Sequence, residues 1–102
     1  MMKSFGDMVK QAQKMQKQMS DLQEKLVEER HEATAGGGLV KVVVDGKQML
    51  RSITIDPKAL DEKDASLLED LILTAMHEAQ KTSQEKMAAA MSKVTGGFAL
   101  PF

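Results

Sequence analysis

A heptad spacing of apolar residues runs through the polar N-terminal part of the chain. The apolar positions are separated by alternating steps of four and three: Met8, Ala12, Met15, Met19, Leu22 and Leu26. Residues with this spacing share one stripe of an α-helix. Ser4 and Asp7 resemble a capping box just before the stripe, so we predict a helix over about residues 5–29.

The middle of the chain shows the alternation that is typical of β-strands. β-Branched residues follow three glycines at positions 36–38, and an Asp45-Gly46 dipeptide separates them from a second alternating run. This arrangement predicts a β-hairpin with a two-residue turn, whose strands cover about residues 39–45 and 48–55. Residues 30–35 are predicted to form an edge strand.

The predicted turn determines which side chains share a face of the sheet. The core face would hold Val40, Val42, Val44, Met49, Arg51, Ile53 and Ile55. The other face would hold Leu39, Val43 and Leu50 beside polar residues, and such a half-apolar surface is typical of one that a second subunit covers. We therefore predict a dimer interface formed by Leu39, Val43 and Leu50 with Met15, Met19 and Leu22 of the helical stripe.

Helical spacing returns after Asp56-Pro57, and predicts a helix over about residues 62–94. Its apolar stripe moves by about 90° past Thr82-Ser83, so the segment is either one helix or two with a bend. An apolar tail follows at residues 98–102. The elements predict one α+β domain over residues 1–102, in the order α-β-β-β-α, with a three-stranded antiparallel meander flanked by long helices.

Composition excludes several classes of function. The chain has no Cys, Trp or Tyr, no apolar run of the roughly 18 residues that span a bilayer, and no signal-peptide pattern. We therefore expect a cytoplasmic protein without a membrane partner. No nucleophile lies near a suitable base, and His31 and His77 lack ligand-spaced partners. We expect no catalytic residues, metal, cofactor or small-molecule substrate.

Charge is segregated along the first predicted helix, although the net charge of the chain is only −1. Residues 1–20 are mostly basic and residues 21–32 mostly acidic. Four lysines fall within about 60° of one another, opposite the apolar stripe: Lys3, Lys10, Lys14 and Lys17. This lysine row is either an ordinary solvated helix face or a surface for nucleic-acid phosphates, bound without regard to sequence.

Several motifs, in order along almost the whole chain, are similar to those of the YbaB/EbfC family of small bacterial nucleoid-associated proteins. They are KQAQKMQ at residues 10–16, AGGGLVKV at 35–42, IDP at 55–57, LEDL at 68–71 and KVTGG at 93–97.

The resemblance implies a tweezer-like homodimer that binds double-stranded DNA in the nucleoid and contributes to nucleoid organisation and gene regulation. It places the DNA contacts on the protruding helices. By position these contacts include Lys10, Lys14 and Lys17, with Lys86 and Lys93 as further candidates, and Lys3 belongs to the same row.

Two other functions remain open from the sequence. A protein-interaction adaptor would use the methionine-rich stripe and the tail at residues 98–102 to bind another protein, without contacting DNA. A protein that recognises structured RNA by its shape and phosphates would use the same lysines.

Overall fold

The fold consists of two long helices and a short one around a three-stranded sheet. A computed structural model describes residues 4–61 and 63–95 of the chain. The elements are α1 (Phe5–Glu28), β1 (His31–Ala35), β2 (Val40–Val44), β3 (Leu50–Ile55), α2 (Lys58–Asp61) and α3 (Ala65–Thr95). The strands form an antiparallel sheet in the order β1-β2-β3. The predicted α+β class and three-stranded meander are confirmed. Lys3 and the tail at 98–102 lie outside the described residues.

The core lies between one face of the sheet and α3. Val40, Val42 and Val44 of β2 are fully buried, and Ala75 and Ala79 of α3 are buried in the same cluster. Small alanine side chains allow the helix to approach the valines closely. α3 packs against β1 and β2, whereas most of β3 is exposed.

The turn between β2 and β3 differs from the predicted two-residue hairpin turn. It is a loop of residues 45–49, here called the Asp45 loop, and Gln48 within it has a φ of 68°. Asp45 Oδ1 accepts hydrogen bonds from the backbone N–H groups of Lys47 (2.7 Å) and Met49 (3.1 Å). These bonds add to two backbone hydrogen bonds of the loop, from the N–H of Asp45 to the carbonyl oxygen of Met49 (2.9 Å) and from the N–H of Gln48 to that of Asp45 (3.1 Å).

The register of β3 explains a second error in the prediction. Val40 pairs with Ile55 and Val42 with Ile53, as the predicted core face requires, but a β-bulge shifts the register between Val43 and Val44. Leu50 therefore lies opposite Val44, on the helix side of the sheet. Its predicted place on the other face was wrong. Arg51, which was predicted on the core face, is exposed, and its guanidinium group donates hydrogen bonds to Asp45.

Leu39 lies in the turn before β2, and not within the strand as predicted. The three glycines at 36–38 of this turn all have positive φ. A Cβ atom built on Gly36 would lie 2.9 Å from Leu71 of α3 and 3.4 Å from Leu39, so these two leucines flank the same glycine.

α3 is one continuous helix through Thr82 and Ser83. Ser83 is fully buried, and its Oγ donates a 2.7 Å hydrogen bond to the carbonyl oxygen of Asp45. Beyond it, α3 and α1 contact each other. The residues of the second apolar stripe are half-buried: Met87, Ala90, Met91 and Val94. The stripe moves because α3 packs first on the sheet and then beside α1.

The molecule is strongly elongated, with extents of 71 × 24 × 16 Å and a radius of gyration of 20.0 Å. A compact domain of about 100 residues has a radius of gyration of ~13 Å. Most of the extra length comes from the helices, since α1 alone is about 36 Å long at 1.5 Å per residue. None of the helices in the described residues has the length and hydrophobicity of a membrane span.

Candidate nucleic-acid interface

The N-terminal part of α1 carries the described lysines of the predicted row. Its first turn is capped by Ser4, whose Oγ accepts a 3.2 Å hydrogen bond from the N–H of Asp7. Lys10, Lys14 and Lys17 are exposed. No ion pair involves them among residues 4–61 and 63–95. We call residues 5–17 the distal arm, and its positive field is uncompensated by contacts within the described chain.

The same row of α1 continues with negative charges towards the body of the molecule. Asp21, Glu24 and Glu28 fall within about 80° of the lysines at 100° per residue, and all three are exposed. We call these three residues the acidic row. Sequence reasoning identified this half of the helix as acidic but did not assign the three residues to the lysine face, although the same 100° spacing along the predicted helix places them there.

The two lysine candidates on α3 lie apart from the distal arm. Lys86 and Lys93 are both exposed. Lys93 borders a shallow cleft of about 300 Å³ between α1 and α3, together with Asp21 and Lys25 of α1. The structure therefore brings Lys93 to the acidic part of α1 and not to the lysine row.

The Asp45 loop connects α1, the sheet and α3. The N–H of Gly46 donates to the carbonyl oxygen of Leu26 near the end of α1 (2.8 Å), and Ser83 of α3 donates to the carbonyl oxygen of Asp45. Asp45 itself is only 1% exposed, and its Oδ2 accepts hydrogen bonds from Nη2 (2.9 Å) and Nε (3.1 Å) of the Arg51 guanidinium. This network holds α1 at a defined place on the body.

Hydrogen bonding decides the ionisation of Asp45. Burial raises its pKa, but the N–H groups of Met49 and Lys47 and the guanidinium of Arg51 lower it more, so the pKa lies below its ordinary value. Asp45 is therefore charged at neutral pH. Sequence reasoning missed this network, although an arginine in the middle of an apolar strand face signals a buried carboxylate partner.

The six predicted dimer-interface residues do not form one surface. Met15, Met19 and Leu22 are half-buried on α1, and Leu22 borders the cleft with α3. Val43 is half-buried on the open face of the sheet, while Leu50 is 44% exposed on the other face. Two apolar neighbours that the prediction placed in the core, Met49 and Ile53, are 62% and 42% exposed. β3 is thus the largely uncovered element of the sheet.

No group of three or more possible metal ligands occurs in the part of the chain that the structure describes. The model of the YbaB/EbfC DNA-binding family matches residues 2–98. The chain belongs to this family. Neither the family nor the relatives below carry an enzyme's name, in agreement with the prediction that the protein is not an enzyme.

Relatives of this YbaB/EbfC protein are similar over almost their whole length. A nucleoid-associated protein of Desulforamulus reducens is 51% identical over 98 residues, which cover 96% of this chain and 93% of the relative. A nucleoid-associated protein of Caldanaerobacter subterraneus is 43% identical over 98 residues and covers 96% and 88%. The crystal structure of an uncharacterized protein from Helicobacter pylori has a TM-score of 0.82 at 25% identity, covering 93% of this chain and 100% of that one.

Proposed function

We propose that the protein binds double-stranded DNA as a homodimer, mainly through phosphate contacts with weak sequence preference. In this proposal the DNA lies against the lysine row at the distal arms of a tweezer-like dimer. The nucleoid-associated names of the relatives support a role in nucleoid organisation and gene regulation. The observation that carries the proposal is a row of exposed lysines without ion pairs in the described chain, on a helix that extends from the body.

The arginines support phosphate binding in preference to base reading. Arginine is the usual partner of guanine in the major groove. The chain has only two arginines, Arg30 and Arg51. Arg30 donates to the carbonyl oxygens of Val27 and Glu29, and Arg51 is paired with Asp45. Lysine ammonium groups, which act as point charges on phosphates, are the remaining cations.

The acidic row limits where DNA can approach. Phosphates are repelled by Asp21, Glu24 and Glu28, so the contact is confined to the distal arm. Lys10 to Lys17 cover about 10 Å along the helix axis at 1.5 Å per residue. An arm can therefore contact only a few phosphates, which is consistent with modest affinity and strong dependence on salt. Lys86 and Lys93 are secondary candidates in this proposal.

The proposed dimer interface centres on β3. Among the described strands, β3 pairs only with β2, and its outer edge is unpaired. The helix side of β3 exposes Leu50 and Ile53 beyond the reach of α3. An unpaired edge with an apolar face is the surface that a second copy covers most readily. Val43 on the opposite face, and the exposed parts of Met15, Met19 and Leu22, are further candidates.

A gel-shift titration with duplex DNA at several salt concentrations tests the DNA proposal. If each arm of a dimer neutralises three phosphates, log K falls with log salt with a slope of about −5. The triple variant Lys10→Glu, Lys14→Glu, Lys17→Glu is expected to lose the shift. The matched control changes the same number of exposed lysines on the body, Lys47→Glu, Lys58→Glu and Lys63→Glu, and should retain most of the affinity.

Equal loss in both triple variants would contradict the proposed site, because only total charge would then matter. No shift by the unmodified protein even at low salt would contradict DNA binding itself. Competition by duplex RNA as strong as that by DNA would favour structured RNA as the ligand.

Sedimentation tests the proposed dimer separately. The unmodified protein should sediment as a dimer at micromolar concentration, and Ile53→Asp should convert it to a monomer, because the charge would be buried unpaired against the partner. Thr54→Asp, on the other face of the same strand, is the matched control. A monomeric unmodified protein would contradict this part of the proposal.

The structure gives less support to the adaptor function. The proximal part of the methionine-rich stripe is half-buried beside α3, and the tail lies outside the described residues. A pull-down partner that survives nuclease treatment would favour the adaptor.

A further inference from the structure

Six charges on the outer face of α1 are arranged symmetrically about residue 19, and Asp7 and Lys25, about 20° beyond the edge of this set, are outside the pattern. Lys10, Lys14 and Lys17 precede it by nine, five and two residues, and Asp21, Glu24 and Glu28 follow it by two, five and nine. All six side chains are exposed on one row of a continuous helix. Among the described residues none of the six forms an ion pair. The row is therefore self-complementary when it meets a reversed copy of itself.

We propose that α1 helices of two copies pack antiparallel through this row, about a two-fold axis near Met19. In that arrangement each lysine lies level with a carboxylate of the other copy: Lys10 with Glu28, Lys14 with Glu24, and Lys17 with Asp21. The two-fold axis doubles these into six opposite-charge pairs over about 27 Å of helix. A parallel contact would place like charges level with each other and is disfavoured.

The stability of α1 alone does not explain this charge order. A lysine followed by an acidic residue four positions later, as in Lys17 and Asp21, is the weaker orientation for an intrahelical pair. Glu28 lies in the last helical turn, where the helix dipole favours cations. Reversing the two halves of the row would therefore suit the isolated helix better. The native order is compatible with a partner that supplies the opposite charges.

This contact is distinct from the β3 interface. The row lies opposite the apolar stripe of α1, and Asp21 is the one member of it that also borders the cleft with α3. A dimer formed through β3 would have two such rows free, so antiparallel α1 contacts would join dimers to one another. If the lysines also bind DNA as proposed above, duplex DNA competes with this assembly for the same ammonium groups.

Charge reversal followed by mixing tests the α1 contact. The first variant carries Asp21→Lys, Glu24→Lys and Glu28→Lys, and the second carries Lys10→Glu, Lys14→Glu and Lys17→Glu. By sedimentation at low salt, the unmodified protein should form species larger than the β3-linked unit, because each such unit has two free rows. Each variant alone should lose those species, because its rows repel, and an equimolar mixture should regain them.

A six-residue variant that combines both sets of changes provides a matched control. It has the net charge of the native row with the positive and negative halves exchanged, so it should assemble as the unmodified protein does. The assemblies formed through α1 should dissociate near 1 M salt, where the Debye length is about 3 Å, while the β3-linked unit should remain. Circular dichroism checks that each variant keeps the native helix content.

Failure of this proposal can be distinguished from failure of DNA binding. The Asp21→Lys, Glu24→Lys, Glu28→Lys variant keeps the lysine row, so it should bind DNA at least as tightly as the unmodified protein while losing the larger species. Assembly of that variant alone would overturn the α1 contact, and so would a mixture of folded variants that does not reassemble. Absence of the larger species for the unmodified protein at low salt would also overturn it.

Discussion

The body and the distal arm differ in what their side chains contact. In the body, Val40, Val42 and Val44 are fully buried under α3, and the Asp45 loop is joined by hydrogen bonds to three other elements. In α1, all of which is described, Leu26 is the only buried residue. The arm's side chains instead carry unpaired charge. Stability is therefore concentrated in the body, and the proposed recognition surfaces are concentrated in α1.

This difference separates two kinds of mutational effect. A change that removes a buried group of the body leaves its partners without their contacts and costs about 1–3 kcal/mol. A change on the exposed face of α1 removes few contacts within the chain and should cost less than about 0.5 kcal/mol. The arm can thus hold a charge order that is unfavourable for an isolated helix because the body supplies the free energy of folding.

Asp45→Ala should have the largest effect on stability. The substitution removes the acceptor of two backbone N–H groups and leaves the Arg51 guanidinium without its carboxylate. We expect a loss of about 3 kcal/mol in the free energy of unfolding, measured by urea denaturation. Asp21→Ala on the arm is the matched control, with a change within about 0.5 kcal/mol. Similar losses of unfolding free energy in both variants would contradict the conclusion that stability is concentrated in the body.

Gly46→Ala should weaken the attachment of α1 to the body. A Cβ atom at residue 46 would lie 2.7 Å from the carbonyl oxygen and 2.9 Å from the Cα of Leu26, and this backbone cannot move away easily. Overpacking of this kind costs about 2 kcal/mol. Urea denaturation should show that loss, with faster amide hydrogen exchange at residue 46. Lys47→Ala, at the exposed neighbouring position, should change little, and an unaltered Gly46→Ala protein would show that the close approach is not required.

The body also shows where sequence reasoning succeeded and where it failed. The order of elements and the core face at Val40 and Val42 could be predicted from alternation and helical spacing, because these patterns arise within a single strand or helix. Leu50 was misplaced because a β-bulge between Val43 and Val44 shifts the register of β3. The pairing of Asp45 with Arg51 was missed because it joins the loop to the strand, and the arginine in an apolar strand face was its only signal in the sequence.

On α1, exposed side chains could be predicted from the sequence, whereas contacts with other elements could not. The lysine row follows directly from 100° spacing once a helix is predicted, and Lys10 is exposed as that spacing requires. Lys93 could not be located in the same way, because its position beside Asp21 depends on how α3 packs against α1. The site residues remain predictions until binding is measured.

Arg51→Met should make stability less dependent on pH in acid. The pKa of Asp45 is lower in the folded protein than the ordinary value of about 3.9. Its charged form therefore stabilises the fold above about pH 4, and this contribution is lost as the pH falls through the folded pKa. Without the guanidinium the pKa is lowered less, so the loss of stability below pH 4 should be smaller.

At neutral pH, Arg51→Met should cost about 1 kcal/mol, because the guanidinium is partly exposed and its pairing with Asp45 is screened by solvent. Urea denaturation between pH 7 and pH 3 measures both effects. Lys41→Met removes the exposed and longer pair with Glu32, at 4.0 Å, and should cost less than about 0.5 kcal/mol. Parallel pH curves for the unmodified protein and Arg51→Met would contradict the assigned role of Arg51.

Gly6→Ala should have the smallest effect and should act only on the arm. Gly6 lies in the first turn of α1, and among the described residues a Cβ atom there would meet only Ser4 Oγ, at 3.8 Å. Alanine favours helix over glycine by roughly 0.5 kcal/mol, which corresponds to about twofold slower amide exchange in the first turns of α1. Because no residue of the distal arm is buried, its end can fray without unfolding the body. The urea midpoint should therefore stay unchanged while exchange slows near residues 8–10, and a parallel rise in the midpoint would show that arm and body unfold together.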